Sequence, residues 1–482
     1  MKVLCFDLSA SSGRLILVNY DGGKVASEEM YRFPNHPYEK QGHLYWNMDA
    51  IVSGLKEGLK RSFAKHPDIE SVGIDTFGVD YVRLGKGSLL LSDPFAYRDS
   101  RCQKAMDKLL KEVPFARIYE ESGIQKLPFN TIFQFKDDHD EHREYEEVLF
   151  LPDYINYLLT GKKATEATIA STGSILGTNH EFSPFLLGLS GLKEGALPSL
   201  MQPGTVLGNV RKELCDELGI PGVKVILTAS HDTASAIASI DLDDDTCYLS
   251  SGTWSLLGCE RKEIIANKKA LDANFTNELG FQKTNRFLKN IMGLFIIQEL
   301  YNAWKETDPS LTFSRLAEEA TNAEPKPIFI DVDDPIFSTP MDMEKKFYQY
   351  LKATNQEASN LARGEIARIV YESMSFAYKK HYGALCEILG KSFPRLVVVG
   401  GGSKAELLNH FIADALNIRV ETGQGEATVY GNAAVQLLAL DPSTSWKTLR
   451  NAMIPEERKT YYPKNNAEPR YLQYLDIVSR RK

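Results

Sequence analysis

The run SHDTASAIASI, residues 230–240, places a carboxylate where a strand gives way to a helix. The preceding residues VKVILTA predict the strand, and the small and apolar residues after Asp232 predict the helix. The dipole of a helix favours an ionised carboxylate in its first turn, so Asp232 could accept a proton from a substrate hydroxyl. Because Asp is also a common helix cap, the alternative is a purely structural role.

The run FDLSASSGR, residues 6–14, gathers hydroxyl groups, small residues and a guanidinium in one loop. It lies between two strand-like runs, VLCF and LILV, and a hairpin can be closed by a much shorter turn. Backbone N–H groups, serine hydroxyls and the side chain of Arg14 together form a surface suited to an anion. An ordinary polar turn is the alternative, and the loop alone does not decide between the two.

Two later loops could also contact phosphate. SSGTWS, residues 250–255, lies between two strand-like runs as residues 6–14 do, which indicates a weak internal repeat. GGGSK, residues 400–404, lies between a strand and a helix, where glycines permit close approach of a ligand and the helix start favours negative groups. A tight strand-to-helix turn would also explain the glycines. Together these loops favour a nucleoside triphosphate held between two domains.

Familiar nucleotide motifs and metal motifs are missing from the sequence. It has no GxxxxGK[ST] run and no GxGxxG after a strand, which disfavours a P-loop protein and a dinucleotide-binding dehydrogenase. HDEHRE, residues 139–144, has an HxxH spacing but not the carboxylate pattern of a known metal site, and we expect a solvated helix face there. DLDDD, residues 241–245, lacks the Gly and distal Glu of a calcium loop and predicts a turn between domains. YRDSR, residues 97–101, predicts either a salt-bridged loop or part of a site.

Length and composition indicate an ordinary multidomain globular protein. A chain of 482 residues is too long for one hydrophobic core, and the net charge of −8 disfavours a nucleic-acid-binding protein. Six scattered Cys without a CxxC pair predict a reducing compartment and no cysteine metal site. The early Asp7 leaves no room for a signal peptide, and no apolar run reaches the ~20 residues of a membrane span. We expect a soluble, cytoplasmic protein with no membrane partner.

The elements that must position these residues follow one another in two cycles. The first reads hairpin, helix and strand, with a helix predicted over residues 49–66, capped by Asp49, and strand character over residues 71–84. The second begins with strand, loop and strand over residues 246–260. It ends with a long helix over residues 362–389 and a strand, glycine loop and helix over residues 395–416. Alternation of this kind predicts mixed sheets covered by helices.

Eight ordered motifs resemble those of the FGGY carbohydrate kinases, in the superfamily of actin and Hsp70, and they cover nearly the whole chain. They are DLSASSGR, DTFGVDYV, YRDSR, PFNTIFQ, ASHDTASA, LSSGTWSLLG, LKNIMGLFIIQ and VVGGGSKAELLN. The resemblance implies an α/β fold with two ribonuclease-H-like domains around a central catalytic cleft. It implies an N-terminal domain, residues 1–243, with the sugar site and first phosphate loop, and a nucleotide-binding C-terminal domain, residues 244–482.

The resemblance also implies a role for individual residues. Asp232 would be the general base, and Asp7 would lie near Mg²⁺. The expected sugar contacts are Gly78, His231, Asp232, Thr233 and Asn290, and the expected ATP contacts are Ala10, Ser11, Ser12, Gly13, Arg14, Thr253, Gln298 and Gly401. Two positions depart from the family pattern: Ser9 replaces a Gly, and Ala405 replaces an Asn of the adenine loop. Ser9 must therefore avoid a conformation reserved for Gly, and one contact to the base is in doubt.

Within the family, the motifs look most like the branch that phosphorylates L-rhamnulose. The expected activity is transfer of a phosphoryl group from Mg-ATP to the primary 1-hydroxyl of that ketose. The alternatives are another ketose, such as L-fuculose or a xylulose, and an actin-like or Hsp70-like ATPase that positions water instead. The expected partners are the sugar and ATP, without nucleic acid, for a monomer or a small homo-oligomer.

Overall fold

The computed structural model describes residues 1–481, in which strands and helices alternate along the chain. The strands are β1 Lys2–Leu8, β2 Ser12–Asp21, β3 Lys24–Pro34, β4 Tyr38–Lys40, β5 His43–Tyr45, β6 Ser71–Thr76, β7 Tyr81–Leu84, β8 Glu147–Phe150, β9 Thr165–Glu166, β10 Leu200–Met201, β11 Val206–Asn209, β12 Lys224–His231, β13 Thr246–Ser251, β14 Trp254–Arg261, β15 Thr276–Leu279, β16 Asn285–Met292, β17 Arg395–Val399, β18 Arg419–Thr422 and β19 Thr460–Tyr461.

The helices range from single turns to one long helix, α14. They are α1 Met48–Lys65, α2 Arg101–Glu112, α3 Phe115–Ser122, α4 Thr131–Asp140, α5 Leu151–Thr160, α6 Ala167–Ala170, α7 Pro184–Ser190, α8 Lys212–Leu218, α9 Asp232–Ala238, α10 Lys268–Asp272, α11 Phe295–Thr307, α12 Phe313–Asn322, α13 Met343–Ala353, α14 Arg363–Leu389, α15 Glu406–Leu416, α16 Ala427–Leu440, α17 Trp446–Ala452 and α18 Glu468–Ser479. Within residues 1–481, none of them combines the length and apolar character needed to span a bilayer.

The first sheet has the strand order β11-β12-β6-β1-β2-β3, with β1 antiparallel to β2 and parallel to β6. Strand β1 is apolar at nearly every position because helices cover both of its faces. Leu4 and Phe6 belong to the same apolar cluster as Leu55 of α1. Val3, on the opposite face, clusters with Ala433 of α16. A helix from near the end of the chain therefore completes the core around the first strand.

The second sheet has the strand order β15-β16-β14-β13-β17-β18-β19. Its first strand in chain order, β13, is antiparallel to β14 and parallel to β17, as β1 is to β2 and β6. In both sheets a hairpin therefore opens the unit and its first strand lies centrally. This shared topology explains the weak repeat between the loops at residues 6–14 and 250–255.

Residues 1–481 divide into two compact units that are each built from separate chain segments. The first unit contains Met1–Asp241, Glu260–Phe287 and Glu426–Ile454. The second unit contains Leu242–Cys259, Leu288–Gly425 and the residues from Pro455 onward. The domain boundary between residues 243 and 244 stays a prediction.

Two local predictions were wrong. Helix α1 is capped by Asn47, whose side chain accepts a hydrogen bond from the amide of Ala50, 2.9 Å away, while Asp49 lies within the first helical turn. Both residues are good caps, and the sequence does not show which one adopts the extended conformation of a cap. The run at residues 139–144 is not one helix face, because α4 ends at Asp140.

Candidate active site

Asp232 lies at the junction that the sequence predicts, as the first residue of α9 and directly after β12. The junction is fixed from two sides. The hydroxyl of Ser235 donates to the carbonyl of Ala229, 2.7 Å away, which ties the helix back to the strand. A Cβ at Gly431 would lie 1.7 Å from the carbonyl oxygen of Ser235, so only glycine lets α16 approach α9 this closely.

The Asp232 carboxylate is both accessible and poorly solvated. The side chain keeps 32% of its surface accessible. Desolvation by the surrounding protein, followed by the negative charge of Asp7, raises the pKa of Asp232 to about 7. Desolvation outweighs both the helix start and the hydrogen bond that Thr233 donates to Oδ1, 3.0 Å away, so Asp232 ionises near neutral pH rather than well below it. A carboxyl group with this pKa can take up and release a proton near neutral pH.

His231 joins Asp232 to a buried ion pair. Its Nε2 lies 3.3 Å from Asp232 Oδ1. Its Nδ1 lies 3.0 Å from Nη2 of Arg286, and the same Nη2 donates to Glu278 Oε2, 3.1 Å away. Burial, followed by the positive charge of Arg286, lowers the pKa of His231 well below its ordinary value. The imidazole is therefore neutral at physiological pH.

Asp7 and Arg14 lie at the same end of the first hairpin. Asp7 is buried at 3% exposure, and its Oδ2 forms an ion pair with Nη2 of Arg14. Nη1 of Arg14 bonds Glu426 Oε2, 2.5 Å away. Arg14 is thus held between two carboxylates beside the loop that the sequence predicts to bind phosphate.

Asp75 adds a further carboxyl group beside Asp7. The two residues are directly paired across the parallel strands β1 and β6, and Asp75 is fully buried. Oδ2 accepts a hydrogen bond from Asn432, 2.5 Å away, whereas Oδ1 has no hydrogen-bond partner within residues 1–481. Burial, followed by the charge of Asp7, raises the pKa of Asp75 well above its ordinary value.

The loop between β1 and β2 is closed by the hydroxyl of Ser9. This oxygen accepts hydrogen bonds from the amides of Ser11 and Ser12, 3.4 and 3.1 Å away. The backbone of Ser9 does not adopt a positive φ, so a residue with a side chain is accommodated without strain. A Cβ at Gly13 would lie 2.1 Å from the ring of Phe33, which requires glycine there. In this conformation two loop amides bond Ser9 rather than facing outward.

Gly78 begins a strained turn. Val79 has φ of 69°, unusual for a β-branched residue, and the amide of Asp80 bonds the carbonyl of Gly78, 2.9 Å away. Thr172 secures the turn, because its Oγ1 accepts from the amide of Val79 at 3.1 Å. A Cβ at Gly78 would lie 3.1 Å from the Thr172 side chain. Strain of this kind persists only where the surroundings enforce it, and it is frequent at ligand sites.

Three of the sequence motifs meet around Asp80, which is buried. Its Oδ2 accepts from the indole of Trp46 at 2.7 Å and from the amide of Tyr97 at 2.9 Å. Its Oδ1 accepts from Gln134 at 3.1 Å, so the YRDSR and PFNTIFQ motifs support the turn after Gly78. Arg101 begins α2 and bonds Asp137 and Asp138, as a salt-bridged structural role predicts.

The remaining predicted contacts lie in the second unit. Thr253 lies in the turn between β13 and β14, and its carbonyl accepts from the amide of Gly293, 3.2 Å away. Asn290 lies in β16, which leads into that contact, and Gln298 lies in the first turn of α11. Gly401 begins a short 3₁₀ helix after β17. Roles in nucleotide or sugar binding stay predictions for all four.

Sequence reasoning missed Asp75, Arg286, Glu278 and Val79. Charged residues within otherwise buried strand segments were the available signal, because such residues are rarely buried unless they are paired. Strand β15 is buried at every position although it contains Glu278, and Arg286 in β16 is fully buried. The positive φ of Val79 has no signal in the sequence.

Two models of protein families match the chain. One, described as the FGGY family of carbohydrate kinases, N-terminal domain, matches residues 2–238, and the corresponding C-terminal domain matches residues 247–440. The chain belongs to the FGGY family of carbohydrate kinases. The predicted α/β fold with two domains is thereby confirmed, as is membership of a family of sugar-phosphorylating enzymes.

Curated members of the FGGY family resemble the chain over its whole length. It is 37% identical to the rhamnulokinase of Bacteroides thetaiotaomicron, with 98% of both chains covered. It is 39% identical to the rhamnulokinase of Halalkalibacterium halodurans, covering 91% of this chain and 93% of that protein. Identity at this level over nearly complete chains is much stronger evidence of relationship than any single motif.

Solved structures of other kinases share the fold of the chain. A ligand-bound xylulose kinase from Lactobacillus acidophilus matches with a TM-score of 0.78 at 20% identity, over 100% of this chain and 96% of that one. A glycerol kinase from Plasmodium falciparum with ADP matches with a TM-score of 0.79 at 14% identity, over 98% of this chain and 96% of that one. At these identities the likeness establishes the fold alone.

Proposed function

We propose that this FGGY kinase transfers the γ-phosphoryl group of ATP to the primary 1-hydroxyl of L-rhamnulose. The sugar oxygen forms a bond to the γ-phosphorus, and the bond from that phosphorus to the bridging oxygen of ADP breaks. The hydroxyl proton passes to an enzyme base, and the products are L-rhamnulose 1-phosphate and ADP. One observation carries the choice of sugar: 37–39% identity to rhamnulokinases over at least nine-tenths of the chain.

The base that we assign is Asp232. Its carboxylate is partly accessible, and a pKa of about 7 suits a group that must take a proton from a hydroxyl at neutral pH. His231 and Thr233, which hold the Asp232 carboxylate, are proposed to contact the sugar together with Gly78 and Asn290. Positioning and charge stabilisation, rather than covalent chemistry by the protein, then provide most of the catalysis.

Mg²⁺ accompanies ATP in phosphoryl transfer, and the residues beside the phosphate loop fit a magnesium ion. Mg²⁺ is usually held by one or two carboxylates together with waters and the phosphates of the substrate. Asp7 supplies such a carboxylate and is buried at the end of β1. Within residues 1–481 no three His, Cys, Asp or Glu side chains form a complete metal cage, and magnesium bound with ATP does not need one. When bound, the ion would neutralise charge on the transferring phosphate.

The nucleotide contacts are proposed on both hairpin loops and on the glycine loop. Residues 10–14 and Thr253 belong to equivalent hairpins of the two sheets. Gln298 and Gly401 complete the proposed set. The glycine loop packs closely against β13, because a Cβ at Gly402 would lie 2.1 Å from the hydroxyl of Ser251. We propose this set because each of the two hairpins carries a loop rich in small and hydroxyl residues.

The alternative sugars and the ATPase alternative are less favoured. The relatives with 37–39% identity are rhamnulokinases, whereas the xylulose and glycerol kinases share 20% and 14% identity and indicate the fold alone. An actin-like ATPase would position water and would have no use for a sugar. A base with a pKa near 7 and partners that orient it is more readily explained by deprotonation of a substrate hydroxyl.

Sugar-dependent ADP release tests the proposed function. Purified protein is incubated with Mg-ATP alone and with Mg-ATP plus L-rhamnulose, and ADP is followed by a coupled assay while ³¹P NMR identifies the sugar phosphate. We expect ADP release to depend on the sugar and to match formation of the 1-phosphate mole for mole. Equal ADP release without sugar would instead identify an ATPase.

We further propose a cytoplasmic enzyme that is a monomer or a small homo-oligomer. All six cysteines are free, as in proteins of reducing compartments, and ATP is the second substrate. Cell fractionation tests the location, and light scattering coupled to size-exclusion chromatography tests the assembly. Detection of the enzyme in the culture medium would contradict the proposed location, and a large polymer would contradict the proposed assembly.

A further inference from the structure

Arg286 is a fully buried guanidinium that contacts His231 but is not assigned to any substrate. It belongs to β16 and has 0% exposure. Its Nε donates to the carbonyl of Leu279, 3.1 Å away. Its Nη2 donates to both His231 Nδ1 at 3.0 Å and Glu278 Oε2 at 3.1 Å. Backbone and carboxylate contacts therefore orient the N–H that faces the imidazole.

The donor on Arg286 decides which nitrogen of His231 carries the proton. A guanidinium has N–H groups and no acceptor, so Nδ1 must accept and therefore has no proton. A neutral imidazole then carries its proton on Nε2. This nitrogen lies 3.3 Å from Asp232 Oδ1, so the protonated side of the ring faces the carboxylate. Arg286 therefore donates to Nδ1 of His231, and the Nε2–H of the same ring faces the Asp232 carboxylate.

We propose that Arg286 is a positioning residue for phosphoryl transfer, because its hydrogen bond to Nδ1 keeps His231 in the Nε2-protonated form that orients Asp232. The inference rests on the proposed kinase function. Arg286 is not among the proposed substrate contacts. Its proposed role is to keep the proton of His231 on Nε2, the ring nitrogen that faces Asp232. Two polar groups then lie against Asp232 Oδ1, the hydroxyl of Thr233, which donates to it at 3.0 Å, and Nε2 of His231 at 3.3 Å.

Glu278 explains why Arg286 is needed. Glu278 Oε2 lies 3.4 Å from His231 Nδ1. If the guanidinium were absent, this oxygen could accept a hydrogen bond from a protonated Nδ1. The imidazole would then either move its proton to Nδ1 or take up a second one. In the first case, a lone pair of Nε2 would face Asp232. In the second, a positive imidazolium would weaken Asp232 as a base.

The wild-type enzyme provides a direct test that does not depend on any variant folding. ¹⁵N NMR of protein labelled at histidine, with His231→Gln used for assignment, reports the protonation of each ring nitrogen. We expect Nδ1 of His231 to have the shift of an unprotonated nitrogen and Nε2 that of a protonated one at pH 7.5. A proton on Nδ1 would overturn the inference.

Kinetics of three variants test the consequence for catalysis. In Arg286→Met, kcat per folded enzyme should fall at least tenfold, while KM for ATP stays within twofold. In the double variant with Glu278→Gln, the side-chain amide can donate to Nδ1, so kcat should recover at least fivefold over Arg286→Met. The matched control is Arg450→Met, which removes another guanidinium that pairs with a glutamate, Glu260, 3.0 Å away.

The outcomes separate this inference from the proposed function. If Arg286→Met keeps kcat within threefold of Arg450→Met, or if the double variant shows no recovery, Arg286 has only a structural role. If Arg286→Met does not fold, the ¹⁵N spectrum of the wild type decides. If the wild type does not phosphorylate L-rhamnulose, the proposed function fails, and the protonation of His231 is still measured in the free enzyme.

Discussion

Asp7 and Arg14 face each other across the antiparallel strands β1 and β2, and their side chains form an ion pair. The proposed magnesium ligand and the proposed phosphate ligand are therefore partners before any nucleotide arrives. Glu426 bonds the other end of the guanidinium at 2.5 Å. Binding of an anionic nucleotide would compete with these two carboxylates for Arg14.

Replacement of Arg14 by Ala should weaken nucleotide binding and lower kcat. Loss of a charge-assisted contact to phosphate is expected to cost about 1.5–3 kcal/mol of binding free energy. Calorimetric titration with an unreactive ATP analogue measures the effect, and titration with the sugar should give an unchanged affinity. Arg61→Ala is a suitable control because Arg61 is an exposed arginine of α1 that pairs with Glu57, 2.6 Å away. Equal ATP-analogue affinities for both variants would make the loop an ordinary turn.

The rate should depend on pH through Asp232. The pKa of this carboxyl group is raised to about 7, and a general base must be deprotonated to act. At saturating ATP, kcat/KM for the sugar should therefore fall roughly tenfold per pH unit below about pH 7 and level off above it. A profile that stays flat from pH 5.5 to pH 8.5, roughly 1.5 units on either side of pH 7, contradicts Asp232 as the base.

Asp75→Asn should stabilise the protein at alkaline pH. The folded-state pKa of Asp75 is raised, so its favourable contribution is present at low pH and is lost as the pH rises toward the folded-state pKa. At pH 8 the variant should gain on the order of 1–3 kcal/mol in the free energy of unfolding, because folding of the wild type at that pH requires Asp75 either to hold a proton or to bury a charge. Urea denaturation at pH 5 and pH 8 measures the difference. An advantage that is larger at pH 5 would mean that this carboxyl group is buried in its ionised form.

Asp232→Asn should nearly abolish turnover while leaving the sugar bound. Removal of a general base costs on the order of 10²–10⁴ in rate. Single-turnover kinetics give the chemical step, and calorimetry gives the affinity for L-rhamnulose. Asp49→Asn, an exposed aspartate in the first turn of α1, controls for the loss of an acidic residue at a helix start. Turnover near that of the wild type with saturating substrates would refute the assignment of the base.

The parts of the fold that the sequence predicted are those set by local pattern. The apolar run at residues 3–6 of β1 and the strand-to-helix change at Asp232 follow from the side-chain pattern, and both are present. The cap of α1 was misassigned because Asn47 and Asp49 are both capable caps, and only the backbone conformation distinguishes them. Side-chain periodicity predicts that an element exists more firmly than it predicts the residue at which the element begins.

The parts of the site that the sequence did not predict depend on contacts between distant segments. Asp75 approaches Asp7 only through pairing of β1 with β6. Arg286 lies 55 residues from His231 in the chain, and their hydrogen bond is created by the fold. The raised pKa of Asp232 arises from desolvation and from Asp7, whereas the sequence showed only the helix start.

A comparison of ketoses tests the central claim most directly. The steady-state kcat/KM is measured with Mg-ATP and L-rhamnulose, L-fuculose and D- and L-xylulose in turn, using coupled ADP release. L-rhamnulose should give the highest value, because a site built to bond one arrangement of hydroxyl groups leaves buried polar groups unpaired with another. A clearly higher kcat/KM for L-fuculose or a xylulose would contradict the proposed substrate.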